Sequence, residues 1–404
     1  MTDGVHRRGG LRRCARNDNQ PRLCACNENR QQSCDRNDNR LRSCARSYRR
    51  PRRRAAVWVA CALLTVAFVP AAAESVTRRL TAEAYIQVRG TAVEGAADLL
   101  AVRRAKAMLT WRPSSASSLY VQTLYKVGNH SSSDGRLWVQ ELWVKQRVGS
   151  GSLTAGQLKP PFGLERFTPD WALETPDRSQ MTDHLVPDGG LAKSFTRDVG
   201  LVWDVGEQDR GWTLSAGLML GNGALAEPYR GNGPLLAARL VRRWRHGRDD
   251  WIQVGASAST RHDRDIDFSG ALPGTKPLGT DHFHGRDTRW GFDAAADEGR
   301  WRLRAEYMAA RLTGTVRQPV IEADGWYAQA ACVLSRRWVA VVKQEAFDPN
   351  TAIVNRNDIG WTTVGVNWLL RGDREKLQAA YVFKRERGAE QAGDALMLQY
   401  QRFF

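Results

Sequence analysis

Basic side chains recur at every second position in several short stretches of this 404-residue chain. The spacing is clearest for Arg104 and Lys106, for Lys145 and Arg147, and for Arg302 and Arg304. Because alternate residues of a β-strand point to the same face, each pair would present two cations to one side of a sheet. Cations along the wall of a water-filled passage attract anions and raise their local concentration. The chemistry that this spacing favours is therefore the binding or passage of anions.

The positions between these cations are mostly apolar, which indicates the elements that carry them. In LTAEAYIQVR, from Leu80 to Arg89, aliphatic residues take one face and Glu83, Gln87 and Arg89 take the other. We count about sixteen segments of this kind up to Phe404, separated by Gly-rich turns. Long strands that alternate between lipid and water are typical of a transmembrane barrel. The sequence therefore predicts an all-β fold, a transmembrane antiparallel β-barrel of about 16 strands.

A soluble β-sandwich or barrel is the alternative, since its strands alternate as well. The length of the strands, the persistence of the pattern and the aromatic last residue favour the membrane barrel. Tryptophans near strand ends would then form the two interfacial girdles: Trp111, Trp138, Trp212, Trp251, Trp301, Trp338 and Trp361.

The predicted inward face is rich in basic residues. Its cations are Arg89, Arg104, Lys106, Lys145, Arg147, Arg239, Arg243, Arg245, Arg302, Arg304, Lys376 and Lys384, and its acids are Glu83, Glu141 and Glu306. This excess indicates a lumen that favours anions. The alternative for any one of these residues is an ion pair that only solvates the lumen wall.

The N-terminal 73 residues differ from the rest of the chain. Residues 1–54 repeat a Cys/Arg/Asn decapeptide, and we expect them to be disordered or the product of a mis-assigned start. Residues 55–73 combine a short apolar run with the small-residue site Ala71-Ala72-Ala73, which predicts a signal peptide cleaved after Ala73. A single membrane anchor is the alternative, but the apolar run is shorter than the about 20 residues that a spanning helix needs. Residues 74–404 would form the barrel.

Removing that segment changes what the composition implies. It holds sixteen of the 60 basic residues, only five of the 43 acidic ones and six of the seven cysteines. The high net charge of +17 therefore belongs largely to the segment, and nucleic acid is not an expected partner. Cys332 is the single cysteine of the exported part, so an internal disulfide is excluded. We expect no cofactor and no metal.

The stretch GQLKPPFGLERFTPD, from Gly156 to Asp170, resembles the phosphate-selective porin O/P family of outer-membrane proteins. VRRAKAMLTWRP (102–113) looks like the family's early Arg-rich strand, and TRDVGLVWDVGE (196–207) like the strand that follows its internal loop. The segments 360–386 and 396–404 look like the closing hairpin and the last strand. The resemblance covers most of residues 79–404.

The resemblance implies a sixteen-stranded barrel, usually a homotrimer, in the outer membrane of a Gram-negative bacterium. It also implies an inward-folded loop that narrows the pore, and passive uptake of anions, phosphate in the named members. Those members carry an arginine ladder and a lysine cluster whose lysines have no residue-by-residue match here. Phe404 fits the terminal aromatic residue that the outer-membrane assembly machinery recognises, while Arg402 departs from the apolar residue expected two positions earlier.

Residues 159–196 lack alternation, and we interpret them as the constriction loop. Candidate anion-contacting residues there are Lys159, Arg166 and Arg178, with Arg197 just after the loop. The predicted function is an outer-membrane porin for small anions, phosphate among them, through a basic pore in a lipid bilayer. The alternatives are a plugged structural or adhesive barrel and a barrel enzyme.

Two other stretches contain residues that could do chemistry. RHDRDIDFSG (261–270) and GTDHFHGRD (279–287) could hold a divalent cation, but the glycine of a calcium loop is missing, which favours an acidic surface loop. NHSSSDG (129–135) brings His, Ser and Asp together in sequence, whereas catalytic triads assemble in space, so it favours a turn. No catalytic residue is predicted.

Overall fold

The computed structural model describes residues 79–127, 135–187, 197–207, 210–224, 231–267, 272, 282–315, 320–354, 357–387 and 393–404. The predicted low-complexity segment and signal peptide lie outside the described residues, as do residues 129–134 of the predicted Ser/Gly turn. No helix within the described ranges is long and apolar enough to cross a membrane.

Sixteen strands make up nearly all of the described structure. They are β1 Leu80–Val93, β2 Leu99–Trp111, β3 Ser117–Tyr125, β4 Leu137–Val148, β5 Gly151–Leu158, β6 Asp198–Gly206, β7 Gly211–Met219, β8 Leu235–Arg245, β9 Trp251–Asp267, β10 His282–Glu298, β11 Trp301–Gly314, β12 Val320–Ser335, β13 Trp338–Asp348, β14 Ile359–Leu369, β15 Glu375–Phe383 and β16 Ala395–Phe403. One short helix, α1 Gln180–Leu185, lies between β5 and β6.

Each strand pairs antiparallel with its sequence neighbours, and β1 pairs with β16 to close the barrel. Closure leaves no sheet edge with unpaired backbone groups, which is the condition for β-structure inside a lipid bilayer. The predicted antiparallel barrel of about 16 strands is confirmed.

The two ends of the barrel differ in the length of their connections. At one end short turns join the strands, and glycines with positive φ allow the chain to reverse at Gly149 and Gly299, with φ of 57° and 55°. At the other end the connections are longer, and the longest runs between β5 and β6. In outer-membrane barrels short turns face the periplasm and long loops face outside, which orients this barrel.

Alternation sets which side chains face the lumen. On β11, Trp301 and Leu303 are exposed on the outer wall, whereas Glu306 and Met308 are buried inside. Trp212 and Trp338 are exposed on the same outer surface as Trp301. The outer wall thus has the apolar band and the aromatic residues near strand ends that a bilayer requires.

Three tryptophans assigned to the girdles face the lumen, so that assignment is wrong for them. Trp251 lies under the guanidinium of Arg243, 4.4 Å from ring centroid to carbon, and Trp361 lies under the ammonium of Lys384 at 5.1 Å. Cation–π contacts with lumen cations account for both positions. Trp138 is opposite the buried, inward-facing Leu124, because a register shift in β3 and β4 reverses the alternation there.

The prediction of an acidic surface loop around residues 261–287 is wrong for the part that the structure describes. β9 continues to Asp267 and β10 begins at His282. Arg261 pairs with Asp263, and Arg289 pairs with Asp287 at 2.7 Å, all four on the inner wall. A strand whose inward residues are buried ion pairs has the composition of a polar loop, which explains the error.

Candidate functional site

The segment that follows β5, residues 159–187, lies inside the barrel. Inward-facing side-chain amides of β14 and β15 donate hydrogen bonds to its backbone: Asn367 to the carbonyl of Glu174 at 2.9 Å, and Gln378 to the carbonyl of Leu173 at 3.1 Å. The ring of Trp171 packs edge-on against Phe403, with centroids 5.6 Å apart. Since Phe403 ends β16, the segment reaches the short-turn end of that wall before it returns.

An apolar cluster fixes the returning part of the segment. Ser179 caps α1, its hydroxyl accepting from the amide of Thr182 at 3.2 Å. Met181 and Leu185 of α1 are then buried with inward-facing residues of β11 to β13, together with Phe162 at the start of the segment. Those strand residues are Met308, Ala310, Leu312, Ile321, Ala323, Tyr327 and Phe347. These side chains pack the part of the lumen that lies against β11 to β13.

Carboxylates of the wall and of the segment hold the backbone of the intervening turn. The Glu306 carboxylate of β11 accepts from the amides of Leu164 at 2.6 Å and Glu165 at 3.0 Å. The Glu165 carboxylate in turn accepts from the amide and the hydroxyl of Ser179, both at 2.9 Å. Four hydrogen bonds therefore define the position of the segment against β11 and of its turn against Ser179.

Three predicted cations converge on Asp170, at the tip of the segment. The distances to its carboxylate are 2.5 Å from Lys106, 2.8 Å from Arg178 and 3.8 Å from Arg104. Burial alone would raise the pKa of Asp170, but these three cations hold it well below its ordinary value. Asp170 therefore stays ionised and ties the segment to β2.

Three more predicted cations lie beside this group. Arg197 pairs with Glu141 of β4 at 2.5 Å. Burial, and then the charge of Arg197, lowers the pKa of Lys159 well below its ordinary value. Burial, followed by Arg197 and Arg178, likewise lowers the pKa of Arg166. Both shifts have burial as their first cause and repulsion by neighbouring cations as their second.

These six residues are called here the basic cluster: Arg104, Lys106, Lys159, Arg166, Arg178 and Arg197. The carboxylates that act on it are Asp170, Asp177, Asp183 and Glu141. Six positive charges thus face four negative ones. Among the described residues no carboxylate lies within ion-pair distance of Lys159, whose ammonium lies 5.5 Å from the ring centroid of Phe167. The cluster retains an excess of positive charge inside the barrel.

The other predicted cations lie nearer the short-turn end. Lys145 and Arg147 line a cavity of about 580 Å³, together with serines of two turns. Lys145 approaches Asp204 at 3.4 Å, and Arg304 pairs with Asp297 at 2.7 Å. Arg302 lies 3.7 Å from Glu174 of the segment. Four of the ten predicted cations are therefore outside the basic cluster, and their roles stay predictions.

A further cation pair lies in the lumen: Arg89, which was predicted on the inward face, and Arg103, which was not. Asp177 of the segment binds Arg89 at 2.8 Å and Arg103 at 3.1 Å, and these cations lower its pKa against the effect of burial. Arg103 follows Val102 at a register shift between β1 and β2, so Arg103 and Arg104 both reach the lumen. Simple alternation assigns Arg103 to lipid, and only the bulge corrects it.

The terminal residue lies where a membrane protein's assembly signal would be accessible. Phe404 is exposed on the outer wall, and the guanidinium carbon of Arg402 lies 5.7 Å from its ring centroid. Its role in assembly stays a prediction.

The described fold and the cation-lined lumen agree with the comparison of the sequence with protein families. The model of the family "Phosphate-selective porin O and P" matches residues 82–401. The chain belongs to this family of outer-membrane porins. A comparison with curated protein sequences gave no match.

Solved structures of porins share the fold of this family member at low sequence identity. The anion-selective porin from Comamonas acidovorans is 12% identical, with a TM-score of 0.57, over 80% of this chain and 99% of that one. OmpF of Salmonella typhi, in complex with daunomycin, is 11% identical with a TM-score of 0.59, over 80% and 97%. The trimer form of OmpT from Vibrio cholerae is 10% identical with a TM-score of 0.58, over 80% and 99%. These similarities concern the barrel fold.

Proposed function

We propose that this porin lets small anions, phosphate among them, diffuse passively across the outer membrane through the basic lumen. The observation that carries the proposal is the basic cluster, where six cations face four carboxylates. Fixed positive charge within a low-dielectric wall concentrates anions and excludes cations. Guanidinium and ammonium groups also suit phosphate oxygens, with arginine offering a fork of donors.

The segment 159–187 would be the constriction loop of this pore. Its hydrogen bonds to β11, β14 and β15 and its ion pairs with β1 and β2 support a fixed position across the lumen. The apolar cluster closes the β11 to β13 side. Anions would therefore pass on the side of β2 to β6, where the basic cluster lies.

The proposed porin would be exported, inserted into the outer membrane and assembled as a trimer. A signal peptide within residues 55–73 would direct export and be removed. Phe404 would present the aromatic terminus to the outer-membrane assembly machinery, and lipid would surround the exposed wall. The trimer form of the structural relative OmpT supports a homotrimer here.

Planar-bilayer recording of residues 74–404 tests the proposal. Under a KCl gradient we expect the reversal potential to shift toward the equilibrium potential of chloride. Added phosphate should reduce the chloride current. A cation-selective reversal would contradict the proposed role of the basic cluster. Anion selectivity without any effect of phosphate would keep the anion channel and remove phosphate from its solutes.

A plugged barrel is the second candidate, and the apolar cluster packed inside the barrel against β11 to β13 favours it. Its prediction is a correctly folded barrel with no conductance at all. A swelling assay with proteoliposomes would separate the two, because a porin admits small solutes and a plugged barrel does not.

A further inference from the structure

One arginine of β8 interrupts the apolar outer face of that strand. The outward residues run Leu236, Ala238 and Leu240, and the next outward position is Arg242, followed by Trp244. A cation on the lipid-facing surface is most costly at the bilayer midplane and much less costly near its edges. Arg242 lies three residues before β8 ends at Arg245, so it sits at the short-turn edge of the bilayer.

Two tryptophans frame this guanidinium. Its central carbon lies 5.6 Å from the ring centroid of Trp212, which is its register partner on β7, and 5.4 Å from that of Trp244. Both rings are exposed on the outer wall. Tryptophan prefers the headgroup level of a membrane, so the pair fixes the depth of the arginine there.

The contacts with the two tryptophan rings leave the N–H donors of Arg242 available for an acceptor. Cation–π contacts use the ring faces and supply no acceptor for the N–H donors of a guanidinium. Within the described ranges no carboxylate forms an ion pair with Arg242. One acid, Glu207, is nearby. Its Oε2 and Nη1 of Arg242 both lie close to Gly211, at 3.4 Å and 3.8 Å from the position that a Cβ would take on that glycine.

We propose that Arg242, Trp212 and Trp244 form a binding site for the phosphodiester headgroup of a phospholipid in the periplasmic leaflet. The two free oxygens of a phosphodiester match the fork of the guanidinium. Below the headgroup, the acyl chains would lie along Leu240 and Leu218, which are exposed on the same face of β8 and β7. Phosphate is the anion that this membrane level supplies in quantity.

Native mass spectrometry of the purified mature barrel tests the site. The probes are phosphatidylglycerol, the phosphate-free lipid monogalactosyl diacylglycerol, and inorganic phosphate. The test variants are Arg242→Ala, which removes the cation, and Trp212→Phe, which keeps an aromatic ring. The control is Arg371→Gln, which removes one exposed cation at the same end, where Arg371 pairs with Glu375 at 3.4 Å. Heat-modified gel mobility verifies that every variant is folded.

We expect Arg242→Ala to retain phosphatidylglycerol at least about fivefold less than the native barrel, as loss of one basic residue at an anionic surface implies. Trp212→Phe should retain an intermediate amount of phosphatidylglycerol, and Arg371→Gln should retain as much as the native barrel. The galactolipid should be retained equally by Arg242→Ala and by the native barrel. Equal phosphatidylglycerol retention by the native barrel and Arg242→Ala would overturn the site. Displacement of the lipid by millimolar inorganic phosphate would overturn the assignment to a headgroup and indicate a site for free phosphate.

Discussion

Lys159 is the member of the basic cluster whose removal tests anion selectivity most directly. Its ammonium has no ion-pair partner among the described residues, so Lys159→Met removes one positive charge without leaving a carboxylate unpaired. The charge balance of the cluster would change from six cations against four carboxylates to five against four. The loop should keep its position, because its anchors at Asp170, Asp177 and Glu306 are unchanged.

The size of the effect follows from the distance at which an anion would pass. At about 6 Å, one unit charge contributes about 0.7 kcal/mol at the dielectric constant of water and about 2.8 kcal/mol at an effective value of about 20. The lower figure already changes anion occupancy about threefold. Because cations change in the opposite direction, the anion-to-cation permeability ratio should fall by about tenfold or more.

The lowered pKa of Lys159 adds a pH dependence with a fixed sign. Burial and Arg197 disfavour its charged form, so the charge is present below the lowered pKa and is lost as pH rises through it. The native channel should therefore lose anion selectivity at a pH below that of an ordinary lysine and approach Lys159→Met. Lys159→Arg is the matched control, since the ordinary pKa of arginine lies above that of lysine and its charge should be lost only at higher pH.

Reversal potentials measured in planar bilayers from pH 6 to pH 10 would decide the matter. The reasoning is refuted if Lys159→Met equals the native channel at pH 6, where the charge must matter most. It is also refuted if Lys159→Arg loses selectivity along the same curve as the native channel.

Three further outcomes are expected from the same contacts. Glu306→Ala removes the acceptor for two backbone amides, including that of Leu164, so the loop should loosen and single-channel conductance should rise, with fluctuations that the native channel lacks. Arg197→Ala leaves Glu141 buried without its ion-pair partner, so the free energy of unfolding in a urea titration should fall by about 3–5 kcal/mol. An Arg197→Ala/Glu141→Gln double variant should recover part of this loss of stability. Deleting Phe404 should reduce the amount of heat-modifiable barrel in the outer membrane without changing the conductance of channels that do assemble.

The barrel was predictable from sequence because its defining signal is local. A strand between lipid and lumen must alternate within a few residues, as β11 does from Trp301 to Met308, and repetition of that signal gives the strand count. The sequence also predicted that Arg166 and Arg178 belong to one site, because both lie within a single stretch that lacks alternation.

Two kinds of feature were beyond that local signal. β-Bulges shift the alternation by one residue, which hides the inward direction of Arg103 and of Trp138. Ion pairs such as that of Lys106 with Asp170 join residues that are far apart in the chain, and only the closed barrel brings them together. Burial of the charged residues on β9 and β10 belongs to this second kind, because their composition alone resembles that of a surface loop.

The acids of the segment connect selectivity with the shape of the pore. Asp170 and Asp177 each bind cations of the barrel wall, and in doing so they reduce the repulsion among those cations and hold the segment across the lumen. A more acidic segment would bind the wall more firmly but would cancel the positive excess on which the proposed anion selectivity rests. A less acidic one would leave crowded cations unpaired, and their repulsion would displace the segment. In the proposed channel, four carboxylates against six cations would satisfy both requirements: enough acid to fix the segment and enough uncompensated positive charge to favour anions.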